Sequence, residues 1–324
     1  SSSSGSRGCP PFRAGDRGSE LELESAIANG KVDGGNRPDF YALERSAPFK
    51  TLSDASLGAL VEKAVRSGRV EIMLQPIVTL PQRKVRFYEA FARLRTSDGV
   101  LMQPGDFLDY AKRNGLMPEI DRQVVRRAVH VARRLISRSR DVGVFVNLDV
   151  HSLSDSDAAS DVVAYLDSNR ALSPSLIFEM TQDAYGRAGP LERALLEQIT
   201  ELGFRLSLDQ VQRLDLDAKA LADGKVRFAK VAAAHLLGGG DLTRDIHVAD
   251  LSDLLARSGI SLIAGHVERE AEVVDLLDYD VGFAQGFLFS PPRPVRGEGA
   301  PPDRAAAEPE RVQRGASALA ASRA

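Results

Sequence analysis

Eight polar residues interrupt apolar runs at widely spaced points of the 324-residue chain: Gln75, Glu89, Asn147, Glu179, Asp209, Lys230, Glu268 and Gln285. Each closes a different strand-like stretch or opens the loop after it. Glu89, Glu179, Asp209 and the amide carbonyl of Asn147 are oxygen donors of the kind a hard cation such as Mg²⁺ takes. Lys230 among them suits the positioning of a phosphate or a water. Any one of these residues, taken alone, reads as a solvated strand-edge group. Eight on successive strands instead describe a ring of ligands at one mouth. The competing reading is a buried polar layer that satisfies only itself, and uncompensated buried carboxylates cost several kcal/mol each.

The elements that must position these groups alternate along the chain. Apolar periodicity predicts strands over 70–80, 84–90, 143–148, 176–180, 204–208, 226–231, 260–264 and 281–283. It predicts helices over 57–67, 107–114, 120–137, 158–169, 191–202, 249–258 and 270–277. Eight strands with intervening helices predict an α/β fold, a TIM-type (β/α)8 barrel whose strand ends converge on one site. The alternative is an open α/β sheet. No glycine-rich phosphate loop follows the first strand, which argues against a Rossmann-type nucleotide site.

Composition narrows the field. Net charge is −3, so nothing points to nucleic acid as a partner. The single cysteine, Cys9, excludes an internal disulfide and favours a reducing compartment, hence a cytoplasmic location. No apolar run approaches the ~20 residues of a membrane helix. Ser1–Gly5 carries neither an initiator Met nor a signal-peptide core, and an anchor upstream of this sequence would make the protein membrane-associated. Residues 1–45 read as a disordered N-terminal segment, 46–295 as the folded domain and 296–324 as a flexible tail, with a frayed helix over 304–324 as its one candidate element.

Other candidates carry less. His130, His151, His235, His247 and His266 share no metal-ligand spacing, and only His266 falls near the expected mouth. Arg122, Arg126, Arg127, Arg133 and Arg134 form a basic helix face, read as solvated, with partner docking as the second choice. Gly238-Gly239-Gly240 reads as a flexible turn.

Between Leu57 and Arg293 the chain resembles the EAL domain, which binds and in active members hydrolyses cyclic di-GMP. Glu89-Ala90-Phe91, with Arg93 following, is similar to the Glu-Ala-Leu signature. Gln75-Pro76-Ile77-Val78 matches the preceding strand, and Asn147-Leu148-Asp149 resembles the Asn-Leu-Ser motif. Phe178-Glu179-Met180-Thr181-Gln182 resembles Phe-Glu-Ile-Thr-Glu. Asp209 corresponds to the first Asp of Asp-Asp-Phe-Gly, Lys230 to the lysine of Leu-Lys-Ile-Asp, and Gln285-Gly286-Phe287-Leu288-Phe289 to the closing Gln-Gly-Tyr-Tyr-Phe. The resemblance implies that Glu89, Asn147, Glu179 and Asp209 are metal ligands for a single Mg²⁺, with Mn²⁺ as substitute. It implies cyclic di-GMP binding by Gln75, Glu89, Arg93, Asp209, Glu268 and Gln285, and vestigial catalytic roles for Lys230 and Glu268.

The chain also departs from that pattern. Gln210 stands at the second Asp of the pair, and Val211-Gln212-Arg213-Leu214 replaces a glycine-rich loop. Gly265 replaces the first Glu of Ala-Glu-Gly-Val-Glu, leaving Glu268, and Ala232 replaces the Asp after the lysine motif. Active members resemble two-metal sites that activate water. The losses imply a catalytically degenerate, cyclic di-GMP-binding regulator that signals to an unidentified protein partner, with a homodimer as an option. The alternatives are an active Mg²⁺-dependent phosphodiesterase yielding linear pGpG, and a scaffold without nucleotide binding. Phe204–Val211 and Leu276–Asp280 are similar to a degenerate alphaproteobacterial subgroup, the TipF-like regulators of flagellar assembly.

Overall fold

Val70–Thr79 (β1) and Val85–Arg95 (β2) pair antiparallel, from Val70 opposite Leu94 to Val78 opposite Val85. The computed structural model describes residues 45–138, 141–238 and 248–295. A two-residue strand, Leu101–Met102 (β3), turns back onto the end of β2. From β2 onward the barrel strands run parallel: Gly143–Asn147 (β4), Leu176–Thr181 (β5), Arg205–Asp209 (β6), Val226–Ala232 (β7), Ser261–Gly265 (β8) and Phe283–Ala284 (β9). β9 then pairs antiparallel with β1, and β1 with β2, so the sheet closes on itself as an eight-stranded TIM-type barrel. Arg293–Pro294 (β10) adds a short outer pairing on β1.

The helices cover the outside of the ring through apolar stripes. Met117–Arg138 shows the spacing plainly, with Ile120, Val124, Val125, Ala128, Val129 and Ala132 buried at three- and four-residue intervals. Side-chain caps set several starts: Ser53 accepts from Ser56 N at 3.2 Å, Thr181 from Ala184 N at 3.1 Å, and Asp217 from Ala220 N at 2.9 Å. Inside the barrel a second, separate cluster of Ile77, Phe87, Phe145, Ile177, Phe228 and Ile263 forms a floor, with Phe283 packed against it. Its rings meet edge to face, Phe87 lying 5.2 Å from both Phe145 and Phe228. Gly143 leaves room for that floor, because a Cβ there would come within 2.9 Å of Phe87 Cδ1.

Three details differ from expectation. The first strand is antiparallel to both neighbours, which a strand count does not reveal. β2 runs on to Arg95, so Glu89 sits mid-strand, because β1 keeps pairing with it beyond the barrel wall. Short helices at Val150–Ser154, Gln182–Arg187, Ala218–Asp223 and Ala233–Leu237 are too brief to show a period. Residues 1–44 with Cys9, the tail 296–324, Gly239-Gly240 and His247 lie outside the described residues.

Candidate functional site

Strand side chains alternate between faces, so the residue two beyond a floor residue rises from the same inner wall. Phe87 is followed in this way by Glu89, Phe145 by Asn147, Ile177 by Glu179, Phe228 by Lys230, Ile263 by Gly265 and Phe283 by Gln285. On β1, which runs the other way, Gln75 precedes Ile77 by two. On β6, Ser207 and Asp209 take the same two levels. The ring of polar groups is therefore the second storey of an aromatic floor.

Hydrogen bonds tie this storey together. Lys230 Nζ donates to Glu89 Oε2 at 2.7 Å and to Glu179 Oε2 at 2.8 Å, with Asp209 Oδ1 at 4.0 Å. Asn147 Nδ2 donates to Glu89 Oε1 at 3.0 Å. Gln285 Nε2 donates to Glu89 Oε2 at 2.8 Å and Gln75 Oε1 at 3.2 Å, while Gln75 Nε2 reaches Ser290 O at 3.0 Å. Ser207 Oγ donates to Glu179 Oε1 at 2.9 Å. Ser207 was not singled out from the sequence, although its place two residues before Asp209 in an apolar strand was a usable signal.

Burial and charge set the protonation of these groups. Burial pushes the Glu179 carboxyl up to about 8, with the Glu89 and Asp209 carboxylates acting in the same direction against the pull of Lys230. Burial also raises Glu89, but the Lys230 charge and the bonds from Lys230, Asn147 and Gln285 outweigh it and hold Glu89 below its ordinary value. Burial lowers Lys230, and the three carboxylates around it more than reverse this, so the ammonium stays charged.

Two expected members stand apart from this network. Glu268 is exposed, three residues past the end of β8, and its backbone N–H donates to Glu272 Oε2 at 2.9 Å. The inner-wall position of β8 belongs to Gly265. Arg93 lies four residues beyond Glu89 on β2, higher on the same wall by alternation. It is buried, its Nη1 donates to Ala92 O at 2.8 Å, and its Nε has no partner. Burial pulls its guanidinium down to about 10, partly offset by Asp106.

The loop after Asp209 is pinned despite lacking glycine. Gln182 Oε1 accepts from Gln212 N and Arg213 N, both at 3.0 Å, and Gln182 Nε2 donates to Arg213 O at 2.7 Å. His235 Nε2 lies 2.8 Å from Gln212 O. Gln210 and His266, each directly after an inner-wall position, hold left-handed φ values of 49° and 56°. Such backbone is uncommon for residues other than glycine and gathers at functional sites. His266 itself is exposed.

The basic helix face is occupied within the fold. Arg122 pairs with Glu119 and Asp161, Arg127 donates to Gly68 O, Arg133 to Asn169, and Arg126 stacks on Tyr165.

EAL phosphodiesterases generally use divalent metal ions. Glu89, Asn147, Glu179 and Asp209 have the donor chemistry for one. In this arrangement, however, the Glu89 and Glu179 oxygens are already taken, and the Lys230 ammonium fills the place between them. Among the described residues no group of three or more His, Cys, Asp or Glu side chains is spaced to hold a metal. The donors fit Mg²⁺ in type but not in their present placement, and a metal here requires Lys230 to withdraw.

Comparisons with known proteins agree with this architecture. The chain is 26% identical over 282 residues to the cyclic di-GMP phosphodiesterase NbdA of Pseudomonas aeruginosa, covering 83% of this chain and 34% of that relative. It is 24% identical to the cyclic di-GMP phosphodiesterase PdeR of Escherichia coli, over 72% of this chain and 36% of PdeR. The chain thus spans about a third of the length of these curated relatives. Its fold is similar to a PaMucR phosphodiesterase in complex with c-di-GMP, with a TM-score of 0.64 at 23% identity, covering 74% of this chain and 98% of that one. It is also similar to Vibrio cholerae LapD S helix-GGDEF-EAL bound to c-di-GMP, with a TM-score of 0.62 at 18% identity, covering 74% of this chain and 57% of that one. The EAL domain profile matches residues 59–292, most of the chain, and the protein belongs to the EAL domain family.

Proposed function

We propose that this EAL domain is a cyclic di-GMP receptor that has lost hydrolysis and passes its state to a protein partner. The observation that carries this reading is the Lys230 ammonium lodged between Glu89 and Glu179, while Gln210 and Gly265 supply no further carboxylate. A two-metal hydrolase needs ligands for both ions, and an amide and a glycine stand where the resemblance expects acids.

Binding asks for less. Arg93 keeps a buried, unpartnered Nε above the ring, a donor suited to a phosphate oxygen. Phe287, 60% exposed beside Gln285, offers a ring on which a guanine can stack. Glu268 and Asp209 complete the ligand set in this proposal. A single Mg²⁺, or Mn²⁺ in its place, on Glu89, Asn147, Glu179 and Asp209 is part of it only with Lys230 displaced. No helix among the described residues is long and apolar enough to cross a membrane. Cytoplasmic location, a homodimer, and a place in flagellar assembly, the last carried by the Phe204–Val211 and Leu276–Asp280 resemblance, belong to the same proposal.

The test is calorimetry with cyclic di-GMP, with and without Mg²⁺, beside chromatography of the nucleotide after long incubation. Binding with intact nucleotide is expected; no heat under either condition contradicts the receptor reading. The second reading, an active phosphodiesterase, draws on the joint presence of Glu89, Asn147, Glu179, Asp209 and Lys230 at one mouth, and release of linear pGpG would establish it.

A further inference from the structure

The far end of the barrel carries a cluster that the ring at the C-terminal mouth does not use. Arg86, Arg205 and Arg227 stand at or one residue inside the N-terminal ends of β2, β6 and β7, and all three are half-buried. The Arg86 guanidinium carbon lies 4.9 Å from the Phe87 ring centre and that of Arg205 lies 5.6 Å from the Phe228 ring centre. Those two rings are themselves 5.2 Å apart, so both cations rest on the underside of one aromatic floor.

No acid answers them. Among the described residues none of the three arginines forms an ion pair. Arg205 donates through Nη2 to Pro174 O, and its Nε is buried without a partner. Arg227 Nη1 donates only to the carbonyls of Ala222 at 2.9 Å and Val226 at 2.7 Å. Burial first, then the charges of Arg86 and Arg227, holds the Arg205 guanidinium below its usual range. Like charges gathered on a low-dielectric wall repel, and a counter-anion removes that cost. Guanidinium forks match the oxygens of phosphate, and the rings beneath supply cation–π support while excluding water.

We propose that Arg86 and Arg205, seated on the Phe87–Phe228 floor at the N-terminal mouth of the barrel, form with Arg227 of the strand next to Arg205 an anion site for a phosphate-class dianion. The dianion is either free phosphate or the terminal phosphate of a mononucleotide. The aromatic floor separates the site from Glu89, three residues further along β2, and the site acts independently of the nucleotide mouth.

The test is thermal melting of the full chain titrated with sodium phosphate, against sodium chloride at matched ionic strength. Phosphate is expected to raise Tm beyond chloride. Arg205→Gln and Arg227→Gln are each expected to weaken the apparent phosphate affinity at least about tenfold, and Arg257→Gln, at an exposed arginine ending the helix Val248–Arg257, to leave it unchanged. GMP and guanosine form the second arm: GMP tighter than phosphate assigns the mononucleotide, while equal affinity with guanosine silent assigns free phosphate. In chloride alone Arg205→Gln is expected to melt no lower than the parent, because one of three repelling charges is gone. Should a variant fail to fold, ³¹P line broadening on the unaltered protein supplies the reading. Superimposed phosphate and chloride curves, a shift that survives both substitutions, or an Arg205→Gln protein that melts lower in chloride each overturns the site.

Discussion

Lys230 and Glu89 face each other across the full width of the barrel. Their strands, β7 and β2, are four places apart in a ring of eight, and Lys230 Nζ donates to Glu89 Oε2 at 2.7 Å. The bond spans the lumen, and Glu179 completes it at 2.8 Å from the same ammonium. The ammonium is thus the counter-charge shared by two buried carboxyl groups from different strands.

Removal of that cation leaves two buried carboxylates facing each other. Lys230→Met is expected to cost about 3–5 kcal/mol, the usual penalty for breaking a buried ion pair from one side. Urea melts measure it. Mg²⁺ is expected to recover part of the loss in the variant and to do nothing measurable for the parent, since only the variant has the place vacant.

Restoring the missing acids tests whether the ring was once a metal centre. A Cβ at Gly265 would meet Lys230 Cγ at 3.5 Å and Cδ at 3.6 Å, ordinary contact distances, so the backbone there accepts a side chain, whose carboxylate would start beside the Lys230 stem. Gln210 holds a φ of 49°, which Asp accepts more readily than Gln. The added carboxylates offer the Lys230 ammonium other partners and so release Glu89 and Glu179 for a cation, and the Gln210→Asp, Gly265→Glu protein is expected to fold, bind Mg²⁺ in calorimetry and release a trace of pGpG. A folded double variant that binds no Mg²⁺ contradicts the assignment of these two positions.

The floor should matter as much as the ring. Gly143→Ala brings a methyl within 2.9 Å of Phe87 Cδ1 and 3.1 Å of Ser175 O. Overpacking of this kind costs about 1–3 kcal/mol. Because Phe87 supports Glu89 two residues on, cyclic di-GMP affinity is expected to fall with stability, whereas Val274→Ala, on an exposed helix face, should change neither.

Asp121 makes the stability pH-dependent. It is buried on the helix Met117–Arg138, and its Oδ2 accepts from Asp149 N at 2.8 Å and Ser152 Oγ at 2.7 Å. Burial nevertheless pushes its carboxyl up to about 7. The folded state therefore holds this proton more tightly than the unfolded chain does. Its contribution is complete below about pH 4 and is lost as pH rises through 7, at up to about 1.4 kcal/mol per unit. Asp121→Asn keeps an oxygen acceptor and is expected to make the fall of melting temperature between pH 5 and 7 shallower, with the part due to Glu179, whose carboxyl is pushed up to about 8, still present.

Much of this arrangement was legible because alternation is a strong constraint. Glu89, Asn147, Glu179 and Lys230 each follow a buried aromatic or isoleucine by two, so a strand assignment alone puts them on one wall. The same rule assigns β8 to Gly265 rather than Glu268, yet motif reading favoured the surviving acid over the register. Ser207 was passed over because a hydroxyl inside an apolar strand reads as filler until its neighbour Glu179 is known. The antiparallel β1 was invisible because its tight connection to β2 appears in sequence only as a short gap between two apolar runs. Arg205, a charge at a strand start, carries no signal of its own in the sequence, and only barrel closure sets it on one floor with Arg86.

The most direct measurement is isothermal calorimetry of cyclic di-GMP against the parent protein and Arg93→Ala, each with and without Mg²⁺. The expected result is micromolar or tighter binding to the parent with little dependence on Mg²⁺, at least about tenfold weaker in Arg93→Ala through loss of a charge-assisted phosphate contact. Binding that appears only when Mg²⁺ is present, or no binding at all, contradicts a receptor whose own lysine stands in for the metal.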